Sequence, residues 1–210
     1  MQSINSEFLT QLKNREPDIN NVIVVSFGGK PSAGIKIARE IIDGRLDVSI
    51  AEVCLSACAE YILPAAKSIT LIDNPLIGYH WNPLILGHLL RTNATKDLEY
   101  CTGIRDDELL KLLVDTGVKT DAWKHTLKKL KLVKYEVNYK YNTCPWSSKT
   151  FENRLWFPTS KQLETTFGLK MSGKLCADNP ECYMKKIPHY FGEGGSFIVG
   201  DEKIIVPSKP

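Results

Sequence analysis

An alternation of short apolar runs with amphipathic helical segments, over the first eighty residues, constrains the fold more than any other feature. The run NVIVVSFGG, residues 21–29, is rich in β-branched residues and ends on two glycines, a pattern typical of a strand covered on both faces. The next segment has apolar residues at helical spacing and stops at Gly44. Strands that alternate with helices predict parallel strands joined by right-handed crossovers, and therefore an α/β fold.

The alternation continues to residue 80. DVSIAEV, residues 47–53, predicts a second strand, and SACAEYILPAAK, residues 56–67, predicts a helix interrupted by a proline. A third strand is predicted over SITLID, residues 68–73, and a short fourth one over PLIGYH, residues 75–80. The first four strands of the sheet should therefore all precede residue 81.

The rest of the chain has a different character, and no internal repeat. We expect one domain over residues 1–210, with a helical segment over 84–132 and a C-terminal extension over 170–210. The other predicted elements are a short amphipathic helix in SEFLTQLKNR (6–15), a strand or hairpin arm in LVKYEVNYKYN (132–142), a short helix in PTSKQLETTFGL (158–169) and a hairpin in GSFIVGDEKIIVP (195–207).

Charge and hydropathy exclude several function classes. With 27 basic and 24 acidic residues the net charge is +3, which is too balanced for nucleic acid or anionic lipid to be the main partner. The one basic concentration, residues 124–142, alternates with apolar residues and is interpreted as an amphipathic surface segment. No run approaches the roughly 18 apolar residues of a spanning helix, so we expect a soluble protein.

Six cysteines point to an oxidising compartment. CADNPEC, residues 176–182, has turn-forming residues between its cysteines and predicts a turn closed by a disulfide. Cys54 and Cys58 are either a disulfide, if a strand ends at one and a helix starts at the other, or two buried thiols. Pairing of Cys101 with Cys144 is inferred only by elimination. We expect a periplasmic or secreted protein whose signal peptide was removed, or replaced by Met1, and neither a metal nor a cofactor.

Three features fall at predicted strand ends: the pair Gly28 and Gly29, then Ser56, then His80. Ligands of parallel sheets bind at the carboxyl ends of the strands, so these residues should face one crevice. A serine hydroxyl becomes a nucleophile when an imidazole accepts its proton, which assigns Ser56 as nucleophile and His80 as general base. The backbone N–H groups of Gly29 and Ala57 are candidates for an oxyanion hole.

Each signal has a plain structural alternative when taken alone. Two glycines after a strand are commonly a turn, a serine before a helix is commonly an N-cap, and a histidine after an apolar run commonly has a structural role. The order and spacing of the three features favour the functional interpretation.

The segments VSFGGKPSAGIKIAREI and VCLSACAEYILPAAKSITLIDNPLIGYH resemble the proteolytic subunit of the Clp protease and the wider Clp-like and crotonase-like superfamily. The family's motif positions correspond here to Gly28 and Gly29, the internal Gly34, Ser56 and His80. The interval from serine to histidine is 80 − 56 = 24 residues, close to that of the family. The nucleophile segment resembles Cys-x-Ser-Ala-Cys of a periplasmic branch. The resemblance covers residues 22–83 and implies a parallel α/β core of ββα repeats.

The sequence departs from the family in three places. Phe27 stands where the family has proline, and the strand that precedes the first helix is absent. The third member of a catalytic triad is not evident, because Trp156 stands at the position of the aspartate. Asn153 is the preferred substitute, with Glu152 nearby, and a dyad of serine and histidine is the other possibility.

The resemblance implies a serine hydrolase, most simply a peptidase with a peptide or protein substrate and, by analogy, a homo-oligomer. The missing aspartate supports an alternative, a catalytically inactive Clp-like fold that binds peptides or proteins. A crotonase-like enzyme acting on acyl-thioesters ranks last, since no basic loop for the phosphates of coenzyme A adjoins Gly29 or Ala57.

Overall fold

The computed structural model of the chain describes residues 6–80, 106–130, 132–140, 144–151, 155–192 and 195–207. Within these ranges the predicted helical region, 84–132, is described from residue 106 onward, where it is helical up to residue 130 apart from a short connection. Residues 84–105 lie outside the described ranges.

The main sheet has four parallel strands, which are β1 Asn21–Ser26, β2 Asp47–Leu55, β3 Ile69–Gly78 and β7 Met171–Ser172. Their order across the sheet is β1-β2-β3-β7, and this confirms the predicted α/β fold with a parallel sheet. The central strand β2 pairs with β1 on one side and with β3 on the other.

The predicted third and fourth strands are wrong as separate elements, because β3 runs without a break from Ile69 to Gly78. Asp73 and Asn74 adopt left-handed φ values of 54° and 50°, and on the neighbouring strand Glu52 has a φ of 57°. The register between β2 and β3 shifts at this point. Both strands therefore bulge side by side, and β3 continues through the point where two separate strands were predicted.

The helices before residue 170 lie where the periodicity places them, and the segment after β2 begins as a π-helix. The 3-10 helix and the 12-residue helix that follow residue 175 were not predicted from the sequence. Helix α2 begins with Pro31, whose fixed φ suits a first helical position, and ends at Gly44. The helices before residue 81 are α1 Ser6–Lys13, α2 Pro31–Gly44, the π-helix Cys58–Ile62 and its continuation α3 Leu63–Ala65. The later ones are α4 Asp106–Thr116, α5 Thr120–Leu130, α6 Ser160–Gln162 with its π-helical continuation Leu163–Phe167, the 3-10 helix Cys176–Asp178 and α7 Pro180–Phe191.

Gly34 lets α2 pack closely on the helical segment that follows Ser56. A Cβ at this position would lie 2.7 Å from the Tyr61 ring and 3.3 Å from the Cβ of Ala57. The family resemblance includes an internal glycine in this helix, and here its physical reason is the close approach of the two helical segments.

The hairpin predicted over 195–207 is confirmed, and the segment predicted as a strand or hairpin arm over 132–142 is one arm of an antiparallel pair. Strands β4 and β5 form one antiparallel pair, and β8 and β9 form the other. A three-residue strand, β6, pairs parallel with β8, and its Trp156 exchanges two backbone hydrogen bonds with Tyr79, directly after β3. The small sheet is thereby joined to the main sheet beside His80. The strands are β4 Leu132–Lys140, β5 Cys144–Phe151, β6 Leu155–Phe157, β8 Gly195–Val199 and β9 Glu202–Val206.

Apolar residues cover the main sheet on both faces. Successive residues at the end of β2 belong to two separate core clusters. Cys54 belongs to the cluster that includes α2, and Leu55 belongs to the one that includes α7 and the small sheet. The end of β2 is therefore held from both sides. Among the helices in the described ranges, none combines the length and the apolar character needed to cross a membrane.

Candidate active site

Ser56 occupies a sharp turn between the end of β2 and the π-helix. Its φ is 55°, a left-handed conformation that costs a residue with a side chain roughly 1–3 kcal/mol. Two backbone hydrogen bonds hold the turn: the Ser56 amide donates to the Gly78 carbonyl at 3.0 Å, and the Glu60 amide donates to the Ser56 carbonyl at 2.8 Å. The turn leaves Ser56 half-buried at the carboxyl end of the sheet.

The structure brings Ser56 and His80 together, 24 residues apart in sequence, with 2.5 Å between Ser56 Oγ and His80 Nε2. The pairing of β2 with β3 explains this proximity, because the register sets Leu55 opposite Gly78. Ser56 follows Leu55 directly, and His80 lies two residues after Gly78. A neutral imidazole with its proton on Nδ1 would accept the hydroxyl proton at Nε2. The geometry is that of an activated serine, and the catalytic role stays a prediction.

Gly28 packs directly against Ser56. It has a φ of +96°, and a Cβ at this position would lie 2.5 Å from Ser56 Cβ, 2.8 Å from the Leu55 carbonyl oxygen and 2.9 Å from Ser56 Oγ. The Gly28 amide donates to the buried hydroxyl of Ser26 at 3.0 Å. Sequence reasoning assigned a role to Gly29, which is exposed, and missed the contact made by Gly28. Only the glycine pair itself could have indicated it.

Ala57 is buried and follows Ser56 directly, as the first residue of the helical segment. Amides in the first turn of a helix have no partner within the helix and lie at the positive end of its dipole. The position of Ala57 is thus compatible with the predicted oxyanion hole, and the roles of Ala57 and Gly29 in it stay predictions.

Disulfides are present at both predicted positions. Cys54 and Cys58 form one, with 5.3 Å between their Cα atoms, so the alternative of two free thiols is wrong. The bond between Cys176 and Cys182, with a Cα separation of 5.2 Å, closes the other predicted ring, although that segment forms a 3-10 helix and the start of α7. Cys101 and the side chain of Cys144 lie outside the described residues. The two disulfides indicate an oxidising compartment.

The third member of a triad does not come from Trp156. Its side chain is fully buried, and its ring N–H donates to the Gly200 carbonyl at 3.0 Å. An indole can only donate, so Trp156 cannot accept a hydrogen bond from a histidine. Asn153 and Glu152, the candidates named from the sequence, lie outside the described residues.

Sequence reasoning also missed two buried polar residues near the pair. Glu60 lies in the π-helix that follows Ser56, and Tyr79 precedes His80; both are buried. Burial, reinforced by the Glu60 carboxylate, raises the pKa of Tyr79 far above its ordinary value. The Tyr79 hydroxyl is therefore neutral at neutral pH. Its ring stacks on Phe167 with 4.6 Å between centroids.

Helix α7 packs against Phe27, the residue between the end of β1 and the glycine pair. The ring of Phe27 makes edge-to-face contacts with Tyr190, at 5.8 Å between centroids, and with Phe191, at 6.4 Å. These ring contacts fix Phe27, directly before the glycine pair, against the last turn of α7.

Fold and site together define an α/β protein with a serine–histidine pair at the carboxyl end of a parallel sheet. No protein-family model matches the chain, and no curated protein matches it either. Among solved structures, the chain is similar to the crystal structure of the ClpP protease catalytic domain from Plasmodium falciparum. That likeness covers 80% of this chain and 79% of the other, at 14% sequence identity and a TM-score of 0.42.

Proposed function

We propose that this chain is a serine hydrolase, and that it is a peptidase of the Clp-like kind that forms an acyl-enzyme on Ser56. The observation that supports this best is the 2.5 Å separation of Ser56 Oγ and His80 Nε2 on a left-handed turn between a strand and a helix. Nucleophile and base within hydrogen-bond reach are the minimal arrangement for nucleophilic acyl transfer.

In the first half-reaction, His80 Nε2 accepts the hydroxyl proton while Ser56 Oγ attacks the carbonyl carbon of a peptide bond. The amides of Gly29 and Ala57 donate to the oxyanion that forms. The imidazolium then gives its proton to the nitrogen of the leaving amine, and the C–N bond breaks to leave an ester on Ser56.

In the second half-reaction, water loses a proton to His80 and attacks the ester carbonyl. The tetrahedral intermediate collapses, and the proton returns from His80 to Ser56 Oγ. The products are a carboxylate, released with a proton to solvent, and the free enzyme.

The substrate is a peptide or protein, and the third member of the triad, if there is one, is Asn153. The disulfides and the resemblance over residues 22–83 support a periplasmic or secreted location. By analogy with Clp-like proteins, the chain assembles as a homo-oligomer.

A peptide mixture and an unfolded protein, incubated with the full chain and analysed by mass spectrometry, test this function. We expect the wild type to release new termini and Ser56→Ala to release none. Ser172→Ala, which changes a serine of the same sheet at β7, is the matched control and should cleave like the wild type. Binding of peptides by a folded wild type without cleavage would support the inactive binding module instead.

A further inference from the structure

The disulfide between Cys54 and Cys58 encloses Ser56. Cys54 lies two residues before the serine and Cys58 two residues after it. Cys54 is held by the sheet on both sides, since it is set opposite Ser26 of β1 and Ile77 of β3. Cys58 begins the π-helix. The bridge therefore ties the first turn of the helix to the centre of the sheet, across the serine.

The turn needs such a tie, because Ser56 occupies a conformation that its own backbone disfavours. The hydrogen bond from the Ser56 amide to Gly78 fixes the entry to the turn, and the bond from the Glu60 amide fixes the exit. Both hydrogen bonds end on Ser56 itself, whereas the covalent link joins the strand before Ser56 directly to the helix after it.

We propose that Cys54 and Cys58 are a positioning pair for the nucleophile. Their disulfide keeps Ser56 Oγ within hydrogen-bond reach of His80 Nε2. This inference rests on the proposed function. A nucleophile displaced by about 1 Å loses on the order of 100-fold in rate, so loss of the bridge lowers the rate of the chemical step more than it lowers substrate binding.

The second disulfide provides a matched control. Cys176 and Cys182 close a ring of similar size, with Cα atoms 5.2 Å apart against 5.3 Å for the first pair, but they join the 3-10 helix to α7 and do not enclose Ser56. A general loss of stability would appear in both double variants. A loss of positioning would appear only in the first.

The experiment compares the full chain carrying Cys54→Ala and Cys58→Ala with the full chain carrying Cys176→Ala and Cys182→Ala. Each is measured for kcat and KM on a peptide ester, for the labelling rate with a fluorophosphonate, and for its thermal unfolding midpoint, with kinetics recorded well below that midpoint. We expect kcat and the labelling rate of the first variant to fall about 100-fold with little change in KM. The control should keep both rates within about threefold of the wild type.

Equal rates in the wild type and the first variant, or equal losses in the two variants, would overturn the inference alone. A folded wild type that is neither active nor labelled would overturn the proposed function and this inference with it. If the first variant does not fold, the wild type with its Cys54–Cys58 bond reduced and its state verified by mass spectrometry serves in its place. Its rate should fall likewise and recover on reoxidation.

Discussion

Replacement of Gly28 by alanine tests whether the backbone behind Ser56 sets the position of the nucleophile. The added Cβ would lie 2.5 Å from the Cβ of Ser56 and 2.8 Å from the carbonyl oxygen of Leu55. Both of these atoms are in the backbone or attached directly to it, so a rotamer change cannot relieve the contact. Either Ser56 or the backbone that carries Gly28 must therefore move.

The displacement follows from the distances. Carbon atoms in favourable contact are about 3.5 Å apart, so the added Cβ and Ser56 Cβ must separate by about 3.5 − 2.5 = 1.0 Å, and we expect Ser56 to take up much of this shift. A shift of about 1 Å at a nucleophile costs on the order of 100-fold in rate. The φ of +96° adds about 1–2 kcal/mol of backbone strain to about 1–3 kcal/mol of overpacking, so the free energy of unfolding should fall by about 2–5 kcal/mol.

The assay is kcat/KM on a peptide ester at a temperature where the variant is folded, together with urea unfolding. Gly117→Ala is the control, because Gly117 also has a left-handed φ, +69°, but a Cβ there would meet nothing within 4 Å. It should lose about 1–2 kcal/mol of stability and keep its activity. The reasoning is refuted if folded Gly28→Ala retains the kcat/KM of the wild type.

Three further substitutions test the surroundings of the site. The hydrogen bond from Lys129 lowers the pKa of Asp201, which stabilises the fold above the ordinary Asp pKa, and this stabilisation is lost as the pH falls through the lowered pKa. Asp201→Asn should therefore cost under about 1 kcal/mol at pH 7, and the cost measured by urea unfolding should shrink as the pH falls below the ordinary Asp pKa. Phe27→Ala removes the ring contact with Tyr190 and should lower the free energy of unfolding by about 1 kcal/mol, as measured by urea unfolding; an unchanged value would contradict the contact. Tyr79→Phe removes a buried hydroxyl that has no hydrogen-bond partner in the described part of the chain, so thermal unfolding should show no loss of stability.

The features that sequence reasoning predicted depend on local patterns. The alternation of apolar runs and helical periods placed β1, α2 and β2, and strand ends in a parallel sheet share one edge, which brought Ser56 and His80 to the same crevice. The spacing of Cys54 and Cys58 across a strand-to-helix junction suggested a disulfide, for the same local reason.

The features that were missed depend on contacts between distant segments. Residues 68–80 were divided into two predicted strands, because the paired bulge on the neighbouring strand, which keeps β3 continuous, cannot be seen in one segment. The choice between Gly28 and Gly29 depends on which backbone atoms approach the serine. The buried Glu60 beside the site is visible only when the helix after Ser56 is placed against the sheet.

The most direct test of the central claim is the rate at which a fluorophosphonate labels Ser56, located by peptide mass spectrometry, in the folded wild type and in His80→Ala. If His80 takes the proton from the hydroxyl, the wild type is labelled at Ser56 and the variant reacts about 100- to 10,000-fold more slowly. A folded wild type that stays unlabelled, or a variant labelled at the wild-type rate, would contradict the account.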